Sequence, residues 1–210
     1  LYDSEQENCG VIGLTLNEYL GRGGIRKALE RHADDSFNKL DPHEQELARS
    51  IFSGLIEIGR GTLDTRRTAL FDELIPTNTK TEEVKAIVGK LADARLITTD
   101  ERDERDTVTI SHEKLIDAWP WLKKLVNENR DVIALQNEIT ADAKEWEAHQ
   151  RDASYLYAGA RLINANEKLK SKELALSGTA REFVQKGFSR QQREEHARIL
   201  SIAGVVALII

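Results

Sequence analysis

Apolar residues recur at intervals of three and four along most of this chain, which is the spacing of one face of an α-helix. The first such stripe follows the glycine-rich segment 21–24 and predicts a helix that reaches residue 40. Its members are Ile25, Ala28, Leu29, His32, Ala33, Phe37 and Leu40. Because His32 lies within the stripe, we interpret it as a packed histidine at the edge of a core rather than as a ligand.

A second helix has a well-marked start. Asp41 supplies a cap, Pro42 occupies the first helical position, and Glu44 places an acid at the third. The residues that this helix turns inward are Leu47, Ile51, Phe52, Leu55 and Ile58. The pattern predicts that the helix ends at Gly59.

Strand patterns enter between residues 65 and 110. Thr65–Ala69 is predicted as a short strand, followed by a helical turn over Phe71–Ile75 and a break at Pro76-Thr77-Asn78. Thr81 is placed to cap the next helix, after which Leu96–Thr99 and Thr107–Ile110 predict a β-hairpin around a charged loop. The order helix, strand, helix, helix, strand, loop, strand predicts a winged helix over residues 41–126.

The pattern from residue 112 to residue 188 is helical throughout and predicts a helical arm over residues 127–198. The arm has three apolar faces: Val132, Leu135, Ile139, Ala143 and Trp146; Leu156, Ala160 and Ile163; and Leu176, Ala180, Phe183 and Val184. The fold class expected is therefore mainly α, with a small β-hairpin.

Composition agrees with a helical chain of 210 residues, since 31% are charged, 6% are aromatic and only three are proline. The net charge of −6 argues against a domain that binds nucleic acid by bulk charge. Cys9 is the only cysteine, which excludes an intrachain disulfide and fits a reducing, cytoplasmic location. Because the sequence opens on Leu1 and contains no methionine, we expect a piece of a longer protein.

The segment 199–210 is an apolar run of 12 residues without charge. A membrane span needs about 20 such residues, so two interpretations stand: a truncated transmembrane helix, or a core segment whose partner is missing. Lys186, Arg190, Arg193 and Arg198 lie just upstream, where they could flank a span on its cytoplasmic side.

The candidate chemistry centres on His112. The strand Val108–Ile110 runs into a helix there, Ser111 is placed to cap that helix, and first-turn N–H groups would attract a phosphate. Taken alone, a histidine after a strand is more often a packing residue. Arg66 and Arg67 are a second candidate contact for an anion, although surface salt bridging is the commoner role of such arginines.

The sequence contains no G-x-x-x-x-G-K-[ST] loop, no H-E-x-x-H and no nucleophile elbow, so these residues offer no complete active site. The charge pattern also argues against binding DNA. The helix 81–94 has three acidic and two basic residues, and the segment 100–106 has five acids against two bases, which would repel a phosphate backbone.

A family resemblance runs through nearly the whole chain. The segments that carry it are Leu14-Thr15-Leu16, Gly23-Gly24-Ile25, Ala28-Leu29, Ala33, Leu40-Asp41-Pro42, Glu44-Gln45, Leu47-Ala48, Asp64-Thr65-Arg66-Arg67, Leu91–Thr98, His112–Ile116, Trp119-Pro120, Leu122, Glu145-Trp146 and Gly159–Leu162. With these segments in this order, the chain resembles the C-terminal half of a bacterial novel STAND NTPase, a signal-transduction ATPase related to the NACHT and NB-ARC switches.

The resemblance implies a role for His112. In STAND switches a winged-helix histidine, in a Met-His-Asp-like motif, contacts the β-phosphate of ADP and holds the resting state closed; here Ser111 and Glu113 flank the histidine. The resemblance also implies that residues 1–40 end a nucleotide-binding and helical lid domain whose P-loop lies before Leu1. ADP or ATP with Mg²⁺, homo-oligomerisation on activation, and a following membrane segment or WD-repeat propeller are implied as well.

Three functions compete at this point. The first is the regulatory part of a STAND-type ATP/ADP switch, which closes over ADP held by the P-loop domain and binds no nucleic acid. The second is a winged-helix transcription regulator that binds DNA, and the third is a membrane-anchored scaffold without a nucleotide role.

Overall fold

Eight α-helices make up most of the chain that the structure describes, together with short 3-10 turns at Phe71–Leu74 and Ala153–Tyr155. The helices are α1 (Gly24–Phe37), α2 (Pro42–Gly54), α3 (Thr81–Asp93), α4 (Lys114–Ala118), α5 (Pro120–Glu128), α6 (Arg130–Ala148), α7 (Gly159–Lys170) and α8 (Gly178–Ile209). The predicted class, mainly helical with a small β-hairpin, is confirmed.

The computed structural model describes residues 24–76, 79–102, 104–171, 174–176 and 178–209, without the side chains of Ile25 and of 201–209. Several sequence predictions lie outside this part of the chain. They are the lead-in up to Gly23, the break at Thr77-Asn78, the loop residue Asp103 and the side chains of most of the apolar run 199–210.

The strands form two antiparallel sheets. They are β1 (Ile56–Glu57), β2 (Thr65–Arg66), β3 (Ala69–Leu70), β4 (Ile97–Arg102) and β5 (Arg105–Ile110). β1 pairs with β2 in a small ribbon, and the second sheet has the order β3-β5-β4. The single strand predicted over 65–69 is wrong, because its two halves belong to different sheets.

The hairpin β4–β5 is longer than predicted. Its register runs from Ile97 opposite Ile110 to Arg102 opposite Arg105, so most of the charged segment expected as a loop is paired strand. Glu104 completes the turn with a φ of 60°. The outer end of the hairpin is stabilised by backbone pairing, and its side chains are exposed to solvent. Charged residues are therefore tolerated there.

The predicted start of α2 is confirmed, but its predicted end is wrong. Asp41 Oδ1 accepts from the Glu44 N–H at 2.9 Å, and Glu44 Oε2 accepts from the Asp41 N–H at 3.1 Å, which is a complete capping box. The helix ends at Gly54, because Ile56–Glu57 leaves it to pair with Thr65–Arg66. Gly59 lies in the turn of that ribbon, where a Cβ would stand 2.3 Å from the Thr62 carbonyl oxygen.

Glu44 also receives a hydrogen bond from the Lys90 ammonium of α3. That bond and the one from the Asp41 N–H lower the pKa of Glu44. The ionised Glu44 carboxylate therefore stabilises the folded protein above the ordinary pKa of a glutamate. This stabilisation is lost as the pH falls through the lowered pKa. The capping box thus also ties α2 to α3.

The predicted cap of α3 is wrong. Thr81 is the first residue of the helix, and Lys80 precedes it without a side-chain hydrogen bond to the helix end. The apolar face predicted for α3 is confirmed, since Val84, Ile87, Val88 and Leu91 are buried.

Two hydrophobic clusters fill the interior, and α6 lies between them. The first cluster joins α1 to α5 with the three-stranded sheet, so Ala33, Phe37 and Leu40 share a core with the predicted winged-helix segment. The second cluster joins α6, α7 and α8 through residues such as Trp146, Leu162 and Phe183.

Two sequence predictions about burial are wrong. His32 is exposed rather than packed, with its Nε2 atom 2.7 Å from the Ala94 carbonyl oxygen. Ala160 and Ile163 are exposed as well, and α7 buries Leu162 and Ala165 instead. The apolar spacing of this helix fits either face, and the helix packs through the face that carries Leu162 and Ala165.

α8 continues into the apolar run as far as Ile209. Among the described residues, no helix combines the length and the apolar character that a membrane crossing needs.

Replacing Asp41 with alanine should lower the free energy of unfolding by about 1 kcal/mol, because the capping box loses its acceptor. Urea denaturation of Asp41→Ala measures the change. Lys39→Ala, an exposed neighbour without a capping role, is the control and should unfold like the wild type. Equal unfolding free energies for Asp41→Ala and the wild type would contradict the role of the cap.

Candidate functional site

His112 lies where β5 turns into α4, between two buried anchors. Ile110 at the end of β5 is 0% exposed and Leu115 in α4 is 1% exposed, whereas His112 itself is exposed. Within the described part of the chain, its imidazole has no hydrogen-bond or ion-pair partner. The packing role that is commoner for such a histidine therefore does not apply, and both ring nitrogens remain open to a ligand.

An aromatic cluster fixes the helical side of this junction. Trp119, directly after α4, packs against Phe37 of α1, Phe52 of α2 and Trp121 of α5, with ring centroids 4.6 to 5.7 Å away. Its indole N–H donates to Asp34 Oδ1 at 2.7 Å. Trp119 is fully buried. For this reason α4, with His112 and Glu113 before it, has little freedom to move relative to the core.

Arg66 reaches the same junction from the ribbon β1–β2. Its Nη1 atom donates to the Ile110 carbonyl oxygen at 3.2 Å and to the Ser111 carbonyl oxygen at 3.1 Å. The guanidinium therefore lies against the peptide that leads into His112, and Arg66 remains exposed. The structure thus brings two of the three predicted site residues, His112 and Arg66, to one place.

Arg67, the third predicted site residue, is engaged elsewhere. Its guanidinium forms an ion pair with Glu73 of the first 3-10 turn, and Lys144 Nζ of α6 lies 2.8 Å from the other oxygen of that carboxylate. The Glu73 side chain is only 14% exposed. Arg67 therefore contributes to the contact between the sheet and α6 rather than to the surface around His112.

The helix-terminus part of the sequence prediction is wrong. Ser111 does not cap α4. The residue at the N-cap position is Glu113, and its side chain makes no hydrogen bond to the helix end. The Leu115 N–H donates to the His112 carbonyl at 2.9 Å, and the Ile116 N–H donates to the Glu113 carbonyl at 3.1 Å. With a length of only five residues and these donors used, α4 adds little to an anion site.

A family model described as Novel STAND NTPase 1 matches residues 1–154. The chain belongs to this family. Neither the comparison with curated proteins nor the comparison with solved structures gives a match. The matched residues include His112, Arg66 and all of α6, whereas α7 and α8 lie beyond them.

Sequence reasoning missed the polar residues that hold the ribbon β1–β2 of this STAND family member against α6. Asp64 accepts two hydrogen bonds from Arg130, at 3.1 and 2.6 Å, and a third from the Gly59 N–H at 3.0 Å. Asn137 donates to the Ile56 carbonyl at 3.0 Å and accepts from the Ile58 N–H at 3.2 Å. The ribbon that carries Arg66 is therefore fixed to the first helix of the arm.

One cavity of the STAND chain has no part in the His112 site. Its volume is about 530 Å³, and it lies between the tip of the β4–β5 hairpin, the 3-10 turn at 71–74, α6 and the start of α8. Its wall carries more acidic than basic side chains, the acids being Asp72, Glu73, Glu104, Asp106 and Glu147. This charge does not favour a phosphate.

Replacing Asp64 with asparagine should lower the free energy of unfolding by about 1–3 kcal/mol, because Arg130 loses a bidentate carboxylate partner whose side chain is only 14% exposed. Urea denaturation measures this change. Asp35→Asn, which removes the same charge from an exposed position on α1, should leave the unfolding free energy within about 0.5 kcal/mol of the wild type. Similar values for the two variants would show that the Asp64–Arg130 contact is not needed to hold the ribbon.

Proposed function

We propose that this chain is the regulatory part of a STAND-type ATP/ADP switch in signal transduction. In this proposal, residues 41–126 form a winged helix that closes over ADP bound by a P-loop domain, and His112 contacts the β-phosphate. Family membership supports the signalling class, and the exposed, unpartnered imidazole at the end of a buried strand is the observation that carries the phosphate contact.

The order of elements supports the winged-helix part of the proposal. A helix, α2, leads to the strand β3, a 3-10 turn, the helix α3 and the hairpin β4–β5, in a sheet of order β3-β5-β4. The acidic residues described in the hairpin tip, Asp100, Glu101, Glu104 and Asp106, are exposed, which disfavours a DNA-binding use of the same surface.

The chemistry of the site fits a phosphate group. A neutral imidazole donates one hydrogen bond and a protonated one donates two, in the second case with charge assistance. Arg66 adds a fixed positive charge beside the same peptide, since a guanidinium is always protonated. The hydrogen bonds from Arg66 to the Ile110 and Ser111 carbonyl oxygens fix the position of its charge before any ligand binds.

The proposal assigns the other parts of the switch to surfaces outside these residues. ADP or ATP and its Mg²⁺ would be held by the P-loop domain, and His112 and Arg66 would add contacts from the lid side. Exchange of ADP for ATP would open the module and expose surfaces for homo-oligomerisation, in a cytoplasmic protein that extends to a WD-repeat propeller or a membrane segment.

His112→Ala should raise the rate of ADP dissociation by about tenfold or more, because one phosphate hydrogen bond is worth roughly 1–3 kcal/mol. The measurement is stopped-flow release of a fluorescent ADP analogue from a protein that includes the P-loop domain. The same variant should signal without stimulus, since the closed state loses a contact that the open state lacks.

The matched control for this experiment is His43→Ala, an exposed histidine in the first turn of α2. Its ADP dissociation rate should equal that of the wild type. Equal dissociation rates for wild type, His43→Ala and His112→Ala would assign His112 no part in nucleotide binding and would remove the basis of the proposal.

Arg66→Gln should also accelerate ADP release, by about three- to tenfold, because it removes a charge and two hydrogen bonds that orient the junction. The same dissociation assay measures it. Arg102→Gln, at the exposed outer end of β4, loses the same charge and should have no effect. If the two arginine variants behave alike, Arg66 acts only as a surface charge.

A further inference from the structure

A basic cleft lies on the arm, between α8 and the segment that connects α6 to α7. Its volume is about 360 Å³, with Trp146 and Leu156 among the residues of its wall. Four basic side chains line it against two acidic ones, namely Arg151, Lys186, Arg190 and Arg193 against Glu182 and Glu194. Lys186, Arg190 and Arg193 are at helical spacing on α8, so they share one face of the helix.

The positive charge of this cleft is only partly neutralised. Arg151 pairs with Glu147 and Glu182, both at 3.1 Å, and Arg190 pairs with Glu194 at 2.7 Å. Arg193 donates only to the Ser189 carbonyl within its own helix, and Lys186 has no partner among the described residues. Two cations therefore face the cleft without an acidic partner in this part of the chain.

The tryptophan in the wall provides a second, independent observation, which is an unsatisfied hydrogen-bond donor. Trp146 is 2% exposed, and its Nε1 atom is buried with no hydrogen-bond acceptor among the described residues. A buried N–H without an acceptor is destabilising, and native structures rarely leave one. Arg151 lies over the same indole, 5.3 Å from the ring centroid, so positive charge lies against this tryptophan.

We propose that this cleft binds a phosphate group, with Lys186 and Arg193 supplying charge and the Trp146 N–H supplying a hydrogen bond. A phosphate presents several strong acceptor oxygens, which suits two unpaired cations and an unsatisfied donor. The cationic residues of α8 lie beyond residue 154, outside the part matched to the STAND family, whereas Trp146 and Arg151 lie within it.

Two sources of phosphate fit this chemistry. One is a free anion such as pyrophosphate, and the other is the headgroup of an anionic lipid. The second is suggested by α8 itself, which continues from Arg193 to the apolar run that begins at Ile199, about 9 Å further along the helix.

Two binding assays on the purified chain separate these sources. The first is calorimetric titration with inorganic pyrophosphate in the absence of nucleotide, and the second is co-sedimentation with phosphatidylcholine vesicles that contain or lack phosphatidylglycerol. The test variants are Lys186→Gln/Arg193→Gln and Trp146→Phe, which keeps an aromatic ring against Phe183 and deletes the N–H. The control is Lys85→Gln/Lys123→Gln, which removes two exposed charges elsewhere.

The proposal expects saturable binding with a stoichiometry of one in at least one assay. Binding should weaken about tenfold or more in Lys186→Gln/Arg193→Gln and severalfold in Trp146→Phe, and should be unchanged in the control. Loss of pyrophosphate binding in the test variants identifies a free phosphate, and loss confined to anionic vesicles identifies a lipid headgroup.

Absence of binding in both assays, or equal weakening in the control, would overturn the proposal. The test variants leave His112 and Arg66 unchanged, so a loss of binding in these variants is independent of the proposed switch.

Discussion

Burial of Ile110 and Leu115 on either side of His112 is the constraint on which the candidate site depends. Only Ser111, His112 and Glu113 remain to turn the chain from the strand β5 into α4. In so short a connection between two core residues, the side chains that do not point inward must face solvent. The His112 imidazole is therefore exposed because its neighbours Ile110 and Leu115 are buried, and no hydrogen bond or ion pair among the residues that the structure describes holds it in place.

The arrangement around this constraint links the junction to the arm. Arg66 holds the carbonyls before His112, and the ribbon that carries Arg66 is fixed to α6 through Asp64, Arg130 and Asn137. α6 then forms one wall of the second hydrophobic cluster. A displacement of α6 would thus act on the peptide next to His112 through a short series of hydrogen bonds. Those of Arg66 and the Asp64–Arg130 pair are charge-assisted and therefore strong and directional. This path offers a physical route between the arm and the proposed phosphate contact.

Much of the fold could be predicted from the sequence because local signals and burial agree. The capping box at Asp41 and Glu44 fixes the start of α2 by itself, and the apolar spacing of α3 identifies its buried face. The ribbon β1–β2 could not be predicted, because its strands have two residues each and depend on Asn137 and Arg130, which lie far away in sequence. The same limit explains why the sequence pattern predicts an end at Gly59 for α2, which ends at Gly54.

The candidate site was predictable in part for similar reasons. His112 and Arg66 were identified from the sequence, but their proximity results from a long-range contact between β2 and the end of β5. Arg67 looked equivalent to Arg66 because adjacent residues of an extended segment differ only in the side of the chain they face. The partner that separates their roles, Glu73, is visible only in three dimensions.

The most direct measurement is a structure of the protein that includes its P-loop domain, determined with ADP bound. If His112 holds the closed state, one of its ring nitrogens will lie about 2.7–3.2 Å from a β-phosphate oxygen, with the Arg66 guanidinium on the same side. An ADP-bound structure in which the imidazole faces solvent, with another residue on the β-phosphate, would contradict the proposed switch.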